Sequence, residues 1–269
     1  MPEGDTIFRS ARALHQALAG QTVTLFETGY AQLASANDQS PVAGRTIEQV
    51  ESRGKWLLIH FSGDLILATH MLMNGSWHIY RAGERWKRAR SHMRLVLGTA
   101  GFVAVAFDVP IARFYTARTL QRFAPVAGLG PDVLGQSFAE DEAAARLVEY
   151  AGEEVGNVLL NQRVLAGIGN VFKSEICFAC GVHPFRTVAS LRTQEIDYLL
   201  STARRMLTAN VAVEGGSRST TGSSNPAARL WVYRRAGSPC RRCGTSILMR
   251  KQGSGARSTY WCPECQKAL

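Results

Sequence analysis

Ile7, Ala11, Leu14 and Leu18 recur at the spacing of a helix with one apolar face. Asp5 or Thr6 is the expected cap of that helix and Gly20 its expected stop. Pro2 and Glu3 then sit just ahead of a helix N-terminus. From about residue 22 to 120 the pattern shortens. "TVTLFETGY", "TIEQVESRG", "KWLLIHFSG", "DLILATHMLM", "MRLVLGTAG" and "FVAVAFD" are short apolar runs divided by Gly, Asn and Asp. Such spacing predicts strands of a β-sandwich or barrel. "FAPVAGLGPDVLG" (123–135) reads as a linker. Helical patterns follow in "SFAEDEAAARLVEYAG", "VFKSEICFACG" and "TQEIDYLLSTARRMLTANVAVEGG". The first of these opens on a capping signature, Ser137 with Glu140. "GGSRSTTGSSNP" (215–226) is small and polar, the composition of a mobile loop, and a cysteine-bearing module begins near 231.

Composition adds a partner class. The chain has 269 residues and a formal net charge of +10, which suits a polyanion. Of 31 basic side chains only Lys55, Lys87, Lys173, Lys251 and Lys267 are lysines. The arginine fork suits phosphate. Charge concentrates in "RAGERWKRARSHMR" (81–94) and "YRRAGSPCRRC" (233–243). No apolar run reaches the roughly 18 residues of a membrane span, and the N-terminus lacks the order of a secretory signal. The expected location is cytoplasmic, nucleoid-associated in a bacterium.

Six cysteines form three C-x2-C pairs late in the chain. Cys240, Cys243, Cys262 and Cys265 form two knuckles around a hairpin-length insert with Gly253 and Gly255 at its turn. Four thiolates close a tetrahedral shell, so one structural Zn2+ is expected. Its binding would supply folding energy on the order of 10 kcal/mol to a module with little core. Cys177 and Cys180 lie within an apolar helical run and read as buried thiols.

Three further stretches carry chemistry less specifically. Gly167-Ile168-Gly169-Asn170 interrupts an apolar helical segment, and a new helix follows. Asn170 can cap that helix, whose N-terminus attracts phosphate. An ordinary corner between helices has the same pattern. Lys55 follows Gly54 and precedes a strand, where a solvated edge lysine is common. In "HMLMNG" (70–75), Met71 and Met73 are expected to share one strand face, as core or as an apolar wedge filling the gap behind an extruded base.

The ordered set of "MPEG", Gly54-Lys55, "LAGIGN" and the four-cysteine module resembles the formamidopyrimidine-DNA glycosylase/endonuclease VIII family over nearly the whole chain. "MPEGDT", "HMLMNGSW" and "VFKSEI" look more like its endonuclease VIII branch. The resemblance implies a multidomain α+β fold. An N-terminal β-sandwich with flanking helices (1–122) precedes a helix–two-turns–helix domain (136–230) and a C-terminal zinc-finger hairpin (231–269). It implies Pro2 as nucleophile once Met1 is removed, Glu3 as general acid/base, and Lys55 on DNA phosphate near the lesion, assisting catalysis. It also implies Asn170 and Arg257 on the DNA backbone, Met73 as intercalating residue, and the 215–226 loop over the everted base. The implied partner is damaged double-stranded DNA, with single-stranded or bubble DNA left open, bound by a monomer. The implied activity is a base-excision-repair glycosylase and abasic-site lyase, removing oxidised pyrimidines with β,δ-elimination. The purine-acting branch presents an arginine and a phenylalanine on a loop, and Arg113-Phe114 stands here in a different context. A purine-lesion enzyme, a catalytically silent relative and a zinc-containing binding module remain alternatives.

Overall fold

The computed structural model describes residues 2–212 and 217–268. The chain divides into two compact units, Met1–Gly128 and Leu129–Leu269.

In the first unit, α1 (Gly4–Leu18) precedes β1 (Leu25–Thr28), α2 (Ala31–Gln39), β2 (Ile47–Arg53), β3 (Trp56–Phe61) and β4 (Leu65–His70). Then come β5 (Ser76–Arg81), β6 (Met93–Gly98), β7 (Phe102–Phe107), β8 (Ile111–Tyr115) and the short α3 (Ala117–Leu120) and α4 (Ala124–Ala127). The strands make two antiparallel four-stranded sheets, ordered β1-β6-β7-β5 and β2-β3-β4-β8. Leu57 and Ile59 of one sheet and Leu95 and Leu97 of the other share a core with Ile7, Leu14 and Leu18 of α1. The alternation on β6 sends Val96 the other way, into an outer cluster with Tyr80, Val105 and Phe107. This is the expected β-sandwich with a helix against it.

Local departures have local causes. The residue capping α1 is Glu3, because the helix begins at Gly4, before Asp5 and Thr6. Asp5 is instead buried in the first turn and meets Arg9 at 3.4 Å. A helix, α2, stands where only strands were expected; it buries Leu33 alone and so leaves little periodic signal. β4 stops at His70, so Met71 and Met73 do not share a strand face.

The second unit holds α5 (Glu140–Val148), α6 (Val155–Val158), α7 (Asn170–Ala179), α8 (Thr193–Ala212) and the hairpin β9 (Leu248–Gln252) with β10 (Arg257–Trp261). Leu147, Val158, Leu165, Phe172, Leu199 and Leu207 are buried in its main core. Ser137 does not cap α5, which starts three residues later behind Ala139. The segment before the Gly-rich turn is helical only over α6 and then runs irregularly. No helix among the described residues is long and apolar enough to cross a membrane.

Candidate active site and nucleic-acid interface

In the first unit the candidate chemistry gathers on α1 and the β2–β3 turn. α1 packs on β2 and β3, and His15 Nδ1 accepts from Val50 N at 3.1 Å. Glu3 is fully buried. Its carbonyl accepts from Thr6 N at 2.9 Å and Ile7 N at 3.1 Å, which starts the helix. Glu3 is thereby the N-cap of α1, with no side-chain capping bond, and follows half-buried Pro2.

Lys55 is half-buried in the two-residue turn closed by Arg53 and Trp56. Gly54 takes φ +57° there, a conformation that suits glycine. The ammonium acts on His70 at the end of β4. Burial, and then the Lys55 charge, push the His70 pKa down to about 4. Neutral His70 Nδ1 accepts from Leu72 N at 3.1 Å. Its ring lies edge-on to Trp56 with centroids 5.0 Å apart. Beyond His70 the two methionines separate: Met71 is 1% exposed in the core and Met73 57% exposed at the tip of the turn. A Cβ on Gly75 would sit 2.6 Å from Met71 O, so only glycine lets the turn fold back this tightly. Exposed Leu72 and Met73 make this an apolar tip.

Within the second unit, two residues far apart in sequence come together. Asn170 Nδ2 donates to Ser258 O at 2.8 Å, tying the start of α7 to the strand that carries Arg257. Gly169 is the N-cap and Asn170 the first helical residue, so Asn170 does not cap the helix. Its Oδ1 is buried without a hydrogen-bond partner among the described residues. The acceptor half of the amide is thus the unpaired one. Arg257 is exposed.

A buried polar chain sets this geometry. Lys173 Nζ donates to Thr259 Oγ1 at 2.5 Å, Thr259 Oγ1 to Gln252 Oε1 at 2.8 Å, and Gln252 Nε2 to Glu154 Oε2 at 2.9 Å. Glu175, also fully buried, accepts from the backbone N–H groups of Trp231, Val232 and Tyr233 at 2.8–2.9 Å and from Thr220 Oγ1. Reading the sequence missed these residues. Their one signal was two charged residues, Lys173 and Glu175, inside an otherwise apolar helical run.

The Sγ atoms of Cys240, Cys243, Cys262 and Cys265 lie within 4.8 Å of one another. Two cross-knuckle distances are 3.9 Å and 3.4 Å. Four thiols at this spacing fit a tetrahedral zinc with Zn–S of about 2.3 Å, and the closed donor set makes it structural. Burial pushes the Cys177 thiol up to about 12 and the Cys180 thiol up to about 11, which suits inert, protonated sulfur rather than a metal ligand.

The basic segments are less free than their composition suggests. Arg88 and His92 meet Asp108, and Arg90 meets Glu27 at 2.7 Å. Arg235 and Arg241 spend their guanidinium groups on backbone carbonyls of 227–239. Arg113 and Phe114 lie within β8, opposite Ala68 and Leu67, not on a loop.

Residues 1–122 match the family model of the Formamidopyrimidine-DNA glycosylase N-terminal domain, and 129–222 that of the Formamidopyrimidine-DNA glycosylase H2TH domain. The chain belongs to the formamidopyrimidine-DNA glycosylase family. Residues 237–268 match the zinc finger found in FPG and IleRS. Full-length relatives include the "Probable endonuclease 8 2" of Streptomyces coelicolor, 40% identical over 99% of this chain and 94% of its own. The "DNA-(apurinic or apyrimidinic site) lyase Nei2" of Mycolicibacterium smegmatis is 38% identical over 100% of both. The Lactococcus lactis formamidopyrimidine-DNA glycosylase, solved non-covalently bound to DNA containing an AP site, shares the fold. Its TM-score is 0.83, at 22% identity, over 99% of this chain and 100% of its own.

Proposed function

We propose that this family member is a base-excision-repair DNA glycosylase and abasic-site lyase that acts on oxidised pyrimidines through Pro2. The observation that carries the reading is the pairing of Pro2 with a fully buried carboxylate, Glu3, at the start of α1. Domain limits of 1–122, 136–230 and 231–269 belong to the same reading. Removal of Met1 makes Pro2 a secondary amine, and an α-amino group titrates near pH 8, so the free base is accessible. Its nitrogen attacks C1′ and the damaged base leaves with the glycosidic electron pair. Glu3 protonates O4′ as the sugar ring opens, so no alkoxide is expelled. The iminium at C1′ acidifies the C2′ proton. Loss of that proton breaks the C3′–O bond, and a second elimination breaks the C5′–O bond.

The remaining residues hold the DNA. Lys55, Asn170 and Arg257 neutralise or bind phosphates. Met73, exposed at its turn tip, fills the gap left by the everted nucleotide. Residues 217–226 cover the everted base; positions 215 and 216 of that loop lie outside the described residues. The full-length relatives named endonuclease 8 support the pyrimidine branch. So does the placement of Arg113 and Phe114 inside a strand.

The test is borohydride trapping. Protein with a confirmed Pro2 terminus is incubated with duplex DNA carrying thymine glycol, an abasic site, or 8-oxoguanine opposite cytosine. A covalent adduct is expected with the first two, absent in Pro2→Gly. No adduct with the abasic site removes the lyase assignment, and preferential release of 8-oxoguanine moves the enzyme to the purine branch.

A further inference from the structure

The 215–226 stretch has the composition of a mobile loop, and within it Ser219 and Thr220 are tied to two helices. Asn210, buried on α8, holds Ser219. Its Nδ2 donates to Ser219 O at 2.9 Å, and its Oδ1 accepts from Ser219 N at 2.8 Å. One side-chain amide thus makes the pair of bonds that a neighbouring strand would make.

Thr220 is tied to α7, where its Oγ1 donates to Glu175 Oε2. The same oxygen accepts from Trp231 N at 2.8 Å. Oε1 accepts from Val232 N at 2.9 Å and Tyr233 N at 2.8 Å. Each oxygen of this fully buried carboxyl group therefore accepts two bonds, one for each lone pair. Three donors come from the entry to the zinc finger and the fourth from the loop. Thr220 also meets the far end of the loop. Its N donates to Arg229 O at 2.8 Å, and its carbonyl accepts from Trp231 Nε1 at 3.2 Å. Between these ends the loop closes on itself. Thr221 Oγ1 donates to Ala228 O at 2.7 Å, and Ser219 Oγ to Ser223 O at 3.0 Å.

A loop that covers a ligand loses conformational entropy unless it is ordered beforehand. We propose that Asn210 and Glu175 are positioning residues for base recognition, holding the 217–226 loop in one conformation through Ser219 and Thr220. The proposal rests on the function given above, in which that loop covers the everted base. Neither residue touches the base; both act through the loop. An abasic site has no base to cover. The two ties therefore act on base release and not on the lyase step.

The test compares two substrates on zinc-loaded, full-length protein with a confirmed Pro2 terminus. Single-turnover release of thymine glycol and borohydride trapping on an abasic site are measured for the parent, Asn210→Ala, Thr220→Val and Thr220→Ser. Alanine is the best helix former, so α8 is not weakened. Valine keeps the branched shape of threonine without its hydroxyl. The ratio of base release to trapping is expected to fall about tenfold in Asn210→Ala and in Thr220→Val, the equilibrium weight of one such hydrogen bond. Thr220→Ser keeps the hydroxyl and should restore the parental ratio. A general loss of structure would lower both activities together. An equal fall in both, or no fall in either, overturns the proposal, as does a Thr220→Ser ratio as low as that of Thr220→Val. Trapping by the parent tests the Pro2 assignment by itself, so the two readings fail separately.

Discussion

Two helices begin at the proposed chemistry, and their first residues differ in one respect. α1 starts behind Glu3 and α7 behind Gly169. Both N-caps are extended, at φ −124° and −122°, and neither makes a side-chain capping bond. The first turn of α1 brings acid with it, Glu3 at the cap and then Asp5. The first turn of α7 has none, only the amide of Asn170. The start of α1 therefore carries acidic residues of its own, and the first turn of α7 carries none. In the proposed function the first start delivers a proton and the second holds DNA.

The largest expected effect is at the acidic end. Glu3→Gln keeps size and burial but removes the transferable proton. Single-turnover base release should fall about 10²–10⁴-fold, with the melting temperature little changed. A variant within threefold of the parent would detach Glu3 from the chemistry.

Next is the support of α7. Cys262→Ser should lose zinc in native mass measurements. With it goes folding energy on the order of 10 kcal/mol for the hairpin, and DNA affinity should drop more than tenfold. Retained affinity would show that the start of α7 binds without β10.

Exchanging the two helix starts is the sharpest comparison. Asn170→Asp gives α7 the acid that α1 has. Loss of the Nδ2 donor to Ser258 O should cost stability on the order of 1–3 kcal/mol, against which the favourable helix-end charge of about 0.3–1 kcal/mol is the smaller effect, and DNA affinity by anisotropy should fall about tenfold. Equal affinity would remove the α7 N-terminus from the interface. Arg257→Ala should act more mildly, lowering the salt slope by about one across all sequences.

The smallest effect is on pH dependence near Lys55. The folded His70 pKa of about 4 lies below its ordinary 6.5. The unfolded chain therefore takes up this proton first as pH falls. The contribution is full above pH 6.5 and is lost between 6.5 and 4. His70→Gln should flatten that part of the stability profile in denaturant melts. An unchanged profile would assign the acid sensitivity to other groups.

Much of this was legible because apolar burial is periodic. The α1 face, the β3 and β4 runs and the cysteine knuckles are local patterns, and each folds as its spacing requires. α2 was not legible, since one buried leucine makes no period. The placement of Met71 and Met73 also needed the fold, because the strand ends where the Gly75 turn begins. The buried chain through Lys173, Thr259, Gln252 and Glu154 joins positions up to 105 residues apart, and no spacing rule reaches across such a loop.

The sequence by itself determined which residues were chemically competent: a proline ahead of an acid, a four-thiol set, and a glycine turn before a helix. Only the tertiary structure decided which charges remained available. It buried Glu3 at a helix start and spent Arg88, Arg90, Arg235 and Arg241 on internal partners. Charge is a property of composition, but its availability depends on what lies within a few ångströms, and long-range packing sets that.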